Sequence, residues 1–258
     1  MKFRKVRSAY IAIVLICMVL YFVFRNTHHY VVYAFSIIIS ISTLYFLFLL
    51  IDGAIHIQRN FFFFSHNQLP DDTEKKLVFS FDDGIHPLLT PRILDILHAH
   101  QIKALFFIIG KNIEGNENIL QRMFNEGHTI GNHSDEHSFW FDVQSSKGML
   151  AEIVSMNKKV SVVLGDPFKP KYFRPPYGVS NPALAKAIHK SGMISIGWNL
   201  RSMDTTMHSK EQLLQKLKSE TKPGCIVLLH DRCEITAEAL TDYIVFCKAQ
   251  GYTFTTIT

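Results

Sequence analysis

Cysteine is scarce. The four residues, Cys17, Cys225, Cys233 and Cys247, show no CxxC or zinc-finger spacing, which removes a disulfide scaffold and a cysteine-based metal site. Charge is scarce as well, at 19% of residues against 48% hydrophobic. Much of the formal net charge of +5 comes from Lys2, Arg4, Lys5 and Arg7, and no basic stripe follows. Nucleic acid is therefore not an expected partner. There is no internal repeat and no low-complexity tract. The 258 residues suffice for one large domain or two small ones.

The excess hydrophobicity lies at the N-terminus. "SAYIAIVLICMVLYFVF" runs over 8–24 without a charge, and "YVVYAFSIIISISTLYFLFLLI" over 30–51. The second exceeds the roughly 20 residues that cross a hydrocarbon core. The first is at the short end, with Arg25 able to snorkel. They read as two membrane helices joined by a tight loop, within an anchor spanning 1–64 that contacts membrane lipids. A signal peptide followed by a core helix fits less well. No small-x-small cleavage site follows the first segment, and the second is too long and uniform. "RNFFFF", Arg59 to Phe64, reads as an interfacial aromatic anchor, and 65–75 as a polar linker. The basic N-terminus predicts a cytoplasmic start, and two crossings then return the chain to the cytoplasm. If the first segment does not cross, the soluble domain lies outside. The extracytoplasmic side is the preferred expectation, and the alternative stays open.

From Lys76 to Thr258, apolar strand-like runs alternate with amphipathic helical ones. "KLVFSF", "KALFFIIG", "HTIGNH", "KYFRPPYG", "MISIGWNL", "GCIVLLH" and "YTFTTIT" are the expected strands. This alternation predicts α/β units around a parallel sheet, open or closed into a barrel. Asp82, Asp83, His133, Arg174, Asp204 and His230 fall at strand exits, where such folds assemble their sites.

"HSDEH" sets His133 and His137 four apart, so a helical turn would put both imidazoles on one face, able to share a metal. Asp83 can add a carboxylate. A His–His–Asp set suits Zn²⁺, or Co²⁺, Ni²⁺ or Mn²⁺, with a position left for water. Each feature also has a plain explanation. Thirteen histidines make a chance pair ordinary, "DDG" is a common turn, and His230 could be a core histidine bonded to backbone.

"SFDDG", "HSDEH", "RPPYG" and "LLH", in that order, resemble the motifs of the polysaccharide deacetylases, the NodB-homology group or carbohydrate esterase family 4. The family's usual forms are T-F-D-D-G, H-[ST]-x-x-[HD], R-x-P-[YF]-G, D-x-x-D-W and L-x-H. The resemblance covers about Lys76 to Thr258 and implies a distorted (β/α)7-type barrel, here preceded by two transmembrane helices. It implies that Asp83, His133 and His137 are metal ligands and that Asp82 is the general base, held by Arg174. It further implies that His230 is the general acid, tuned by Asp204, and that the peptide at Pro176–Tyr177 meets the substrate and the oxyanion. Ser80 replaces the usual Thr. In "WNLRSMDT" Arg201 and Thr205 replace the usual Asp and Trp, which puts the sugar preference in doubt more than the chemistry.

The implied activity is a membrane-anchored, metal-dependent hydrolase of the N-acetyl group of an amino sugar. The first candidate is N-acetylglucosamine in peptidoglycan or another envelope glycan. The alternatives are a lipid-linked sugar, deacetylated or deformylated at the membrane surface, and chitin oligomers or an O-acetyl ester. A catalytically inactive glycan-binding relative would be expected to lack the base, a ligand or the acid, and all are present.

Overall fold

The computed structural model describes residues 2–26, 29–70 and 74–257. Strands β1 (Lys76–Gly84), β2 (Leu105–Ile108), β3 (Thr129–Asn132), β4 (Tyr172–Phe173), β5 (Ile194–Ser195), β6 (Leu200–Arg201) and β7 (Ile226–His230) form one parallel sheet in the order β5-β4-β3-β2-β1-β7-β6. A short β8 (Thr253–Phe254) pairs with the start of β1. Between the strands lie α3 (Leu89–Ala99), α4 (Glu117–Asn125), α5 (Ser146–Leu164), α6 (Pro182–Ser191), α7 (Lys210–Glu220) and α8 (Glu234–Ala249). β1 and β2 are buried along almost their whole length, as expected of central parallel strands.

The sheet curls without closing, and its open seam departs from the sequence expectation. "MISIGWNL" is not one strand. Its first half pairs with β4 as β5, its second half pairs with β7 as β6, and residues 196–199 cross the gap between the two edges. Gly197 falls in this crossing and interrupts the ladder.

The stretch expected to be a linker sutures this seam. His66 bridges Ile196 in parallel and Gln68 bridges Cys225 antiparallel. The His66 N–H donates to Ser195 O at 3.0 Å, the Gly197 N–H to His66 O at 2.9 Å, and the Leu69 N–H to Gly224 O at 2.9 Å. A seam of unpaired strand edges is thereby covered. Of the expected linker, 71–73 lies outside the described residues.

α1 (Lys2–Phe24) extends the first expected segment toward the N-terminus, and α2 (His29–Ile55) extends the second in both directions. Their connection at 27–28 lies outside the described residues. They pack antiparallel: the Tyr10 ring stacks on Phe46 at 4.4 Å, and its hydroxyl meets Thr43 Oγ1 at 3.0 Å. Both are apolar and long enough to cross a membrane, and their outer faces are exposed.

The hairpin ends on this sheet rather than on a tether. Phe61, Phe62 and Phe63, expected to lie in the membrane interface, are buried in a core cluster with Ile57, Val78, Phe107 and Trp198; only Phe64 is exposed. Each buried Phe contributes roughly 1.5–3 kcal/mol of transfer free energy, which the alternating sheet can accept and water cannot. Gly53 is required here, because a Cβ would occupy the Phe61 ring. Ser180 supplies partners for the free carbonyls at the end of α2: its N–H donates to Ala54 O and its hydroxyl to Gly53 O, both at 2.8 Å.

Candidate active site

Neighbouring residues of a strand face opposite ways, so Asp82 and Asp83 should not share a cavity. A β-bulge resolves this. Asp82 pairs with Phe107 and Gly84 with Ile108, leaving Asp83 as the extra residue, with φ at 70°. The bulge re-aims Asp83 so that both carboxylates reach one cleft. Asp83 Oδ1 lies 3.5 Å from His133 Nε2, and Asp82 Oδ2 lies 3.8 Å from the same nitrogen. The strand does not break into a turn at this pair. It continues to Gly84, where a Cβ would collide with the buried Asp231 carboxylate.

"HSDEH" is not helical. Ser134 and His137 adopt left-handed φ of 68° and 49°, and side chains hold the loop. Asn132 Oδ1 accepts from the Ser134 N–H, Ser134 Oγ accepts from the His137 N–H, and Glu152 Oε2 accepts from the N–H groups of Asp135 and Glu136. Backbone strain of this kind gathers where function over-determines geometry. The loop brings His137 Nε2 to 3.4 Å from Asp83 Oδ1. Burial first, then the charge of His133, push the His137 imidazole down to about 4, so it is neutral at pH 7 with a lone pair to offer.

Arg174 is fully buried and fixes Asp82. Its Nη1 donates to Asp82 Oδ1 at 2.6 Å and to Ser80 Oγ at 2.9 Å. Its Nη2 and Nε donate to Gly197 O and Ile196 O, the carbonyls of the seam crossing. The guanidinium also lies 4.1 Å from the centre of the Phe107 ring. Ser80, replacing Thr, keeps the acceptor that this network needs.

His230 ends β7 directly beside Asp82 on β1. Its Nδ1 meets Asp204 Oδ1 at 2.7 Å, while Asp204 Oδ2 accepts from the His230 N–H and the Thr236 hydroxyl. Burial disfavours the imidazolium, but the Asp204 hydrogen bond and charge outweigh it, and the His230 pKa lies above its ordinary value. The remaining ring nitrogen, Nε2, is left for the cleft.

Tyr177 lines the cleft with φ at 57°, its ring 4.6 Å from that of His137. Pro176, expected at the substrate, is buried, and its carbonyl accepts from the Val179 N–H at 3.3 Å. It lacks an N–H and serves the turn.

Two contributors escaped the sequence reading. Arg232 Nε donates to Asp83 Oδ2 at 2.7 Å, and Asn112 Nδ2 to Asp83 O at 3.0 Å. Arg232 stands two positions after His230, which was the available signal. Burial raises the Asp83 carboxyl, but hydrogen bonds from His133 and Arg232 overcome it and hold Asp83 well below the usual carboxylate range. Cys233, close by, is pushed up to about 12, mainly by burial and the Asp204 charge, and remains a thiol.

The donor set suits a divalent ion. The three ligand atoms of Asp83, His133 and His137 lie within 4.8 Å of one another. Ligands bound at about 2.0–2.1 Å in a tetrahedron stand about 3.3–3.4 Å apart, and Asp83 lies 3.4 and 3.5 Å from the two imidazoles. His133 Nδ1 donates to Arg174 O at 2.8 Å, which fixes the tautomer that leaves Nε2 free.

The polysaccharide deacetylase family model matches residues 70–196. The chain is 34% identical over 185 residues to a peptidoglycan N-acetylglucosamine deacetylase of Listeria monocytogenes, covering 72% of this chain and 38% of that protein. It therefore spans well under half of that relative. It is 32% identical over 192 residues to a peptidoglycan N-acetylmuramic acid deacetylase of Bacillus subtilis, covering 73% of this chain and 72% of the relative. Among solved structures, peptidoglycan deacetylase PdaC from Bacillus subtilis superposes with a TM-score of 0.66 at 28% identity, over 72% of this chain and 90% of that one. A carbohydrate esterase family 4 pseudoenzyme from Bacillus anthracis gives 0.67 at 27% identity, over 72% and 65%. The fold alone thus does not carry the activity. Motif order, curled parallel sheet and curated relatives agree, and the chain belongs to the polysaccharide deacetylase family.

Proposed function

We propose that the chain is a membrane-anchored, metal-dependent hydrolase that removes the N-acetyl group from an amino sugar of a cell-envelope glycan, with N-acetylglucosamine as the first candidate. The observation that carries this is the convergence of a free carboxylate, a three-residue ligand set and a carboxylate-bound histidine on one cleft.

Asp83, His133 and His137 would hold the ion, Zn²⁺ first and Co²⁺, Ni²⁺ or Mn²⁺ also suited. A divalent ion there supplies water activation and polarises the acetyl carbonyl. Asp82 Oδ2 faces the ligand set while Oδ1 is taken by Arg174, so one oxygen is left to accept the proton of the attacking water. The Tyr177 peptide, turned by its left-handed φ, would donate to the developing oxyanion. The amine cannot leave as an anion. His230, kept protonated by Asp204, donates the proton from the strand beside the base. The products are acetate and a free amino sugar.

The purified protein is expected to release acetate from an N-acetylglucosamine oligomer, to lose this on chelation, and to regain it with added Zn²⁺ or Co²⁺. Acetate release that survives complete metal removal would overturn the assignment. Glycan binding without any release, in the metal-loaded protein, would favour the inactive relative.

The antiparallel hairpin returns the chain to the side on which it began: the Phe3 N–H donates to Phe61 O at 3.0 Å, and Lys2 Nζ to Arg59 O at 2.9 Å. With both helices crossing, the basic N-terminus and the catalytic domain would share one side, and the positive-inside rule supports the cytoplasmic one. A reporter enzyme fused after Thr258 should register a cytoplasmic C-terminus. An external signal would restore assembled peptidoglycan as the natural substrate.

A further inference from the structure

The loop that follows the metal-ligand motif carries an apolar surface that the chemistry above does not use. Phe141 points inward and is fully buried, which fixes the loop. Around it, Phe139, Trp140 and Val143 are 74%, 66% and 75% exposed. The Phe139 and Trp140 rings meet edge to face at 5.0 Å and form one projecting pair. Large apolar side chains clustered outward on a rigid loop mark a contact surface.

Its position says what it contacts. Asn181 Nδ2 donates to Asp142 O at 2.8 Å, in the middle of the loop. The preceding residue, Ser180, bonds the last carbonyls of the membrane-length helix α2. The loop is thus joined, through two adjacent residues, to the point where α2 leaves the apolar span. Lys2, Arg4, Lys5 and Arg7 begin α1 at the same end of the hairpin, as anionic lipid headgroups require. Aromatic residues are the side chains that favour this depth. His137 lies two positions before Phe139, so the surface borders the mouth of the cleft. On the cleft wall, Arg201 is exposed and forms no ion pair among the described residues, a ready partner for a phosphate at headgroup depth.

We propose that Phe139, Trp140 and Val143 rest in the bilayer surface beside α2, and that the cleft takes its amino sugar while it is still carried on a membrane lipid through a phosphate link. The substrate half of this proposal rests on the hydrolase assignment; the membrane contact does not. The docked hairpin leaves the site little reach away from the bilayer, whereas a lipid-carried sugar diffuses to it in two dimensions.

The chain has two tryptophans, and the other, Trp198, is buried. The full chain reconstituted in vesicles of lipids brominated near the headgroup should therefore show quenching of Trp140 emission. In Trp140→Phe the remaining emission should be unquenched. Equal quenching in both proteins, or none in either, overturns the membrane contact. In parallel, acetate release would be compared between a lipid-phosphate-linked N-acetyl amino sugar and a soluble oligomer of the same sugar. Phe139→Ser/Trp140→Ser should lower the rate on the lipid-linked form by about tenfold and leave the soluble rate unchanged. Equal loss on both, or no loss, overturns the substrate assignment. If the metal-loaded wild type releases acetate from neither, the hydrolase assignment and the substrate half fall together, and quenching alone still decides the membrane contact.

Discussion

Asp82→Asn should lower turnover by about 10²–10⁴-fold, the usual contribution of a positioned general base. Asparagine keeps the shape, and its amide oxygen can still accept from Arg174 Nη1, which lies 2.6 Å from Asp82 Oδ1. What it cannot do is take a proton. Asp82 Oδ2 faces His133 Nε2 at 3.8 Å but is not among the three converging ligand atoms, so metal affinity should stay close to wild type. The same change deprives the fully buried Arg174 of its counter-charge, so some stability will also be lost. Rates should therefore be compared below the melting transition, with a near-ultraviolet spectrum to show that the fold is intact. A variant that folds, binds metal and turns over at more than about a tenth of the wild-type rate would remove Asp82 from the role of base.

Arg174→Met should cost stability as well as activity. The guanidinium binds Asp82, Ser80 and the carbonyls of Ile196 and Gly197, with no exposure to solvent. Removing one partner of a buried ion pair typically costs about 3–5 kcal/mol, because the other charge is left uncompensated. Two seam carbonyls lose their donor at the same time, at a further cost of about 1–3 kcal/mol each when buried. A marked fall in the denaturant midpoint is expected, read by circular dichroism in urea. Arg174→Lys should not rescue it, since one ammonium cannot reach across the fork that joins Asp82 to both carbonyls. A midpoint unchanged in Arg174→Met would show that the network is not what holds Asp82 and the seam together.

The strand–helix alternation was legible because parallel strands buried on both faces are near-continuous apolar runs, as in "KLVFSF", and helices such as α6 are amphipathic with a clear N-cap at Asn181. The candidate site residues were legible at strand exits, where parallel α/β sheets gather such side chains. Local conformation was not. A one-residue bulge at Asp83 leaves no mark on composition, yet it decides that both carboxylates face one way. The spacing of His133 and His137 suggested a helix, but Asn132, Ser134 and Glu152 hydrogen-bond the backbone into a loop instead. "MISIGWNL" has strand composition throughout, and only the ladder shows that it leaves one sheet edge and joins the other. The run Phe61 to Phe63 reads equally well as a membrane belt or a core. Tertiary contact with Phe107 and Trp198 chose the core, and with it turned an expected tether into a docked segment.

The central claim is that two adjacent carboxylates divide the work, Asp83 holding the ion and Asp82 moving the proton. The most direct test is the metal stoichiometry of purified Asp82→Asn and Asp83→Asn, measured by elemental analysis after identical dialysis, beside their rates of acetate release. Asp82→Asn should retain close to one equivalent of metal and be inactive. Asp83→Asn should lose most of its metal, because it removes one of the three ligand atoms. If Asp82→Asn loses the metal, or Asp83→Asn keeps both metal and activity, the division of labour is wrong.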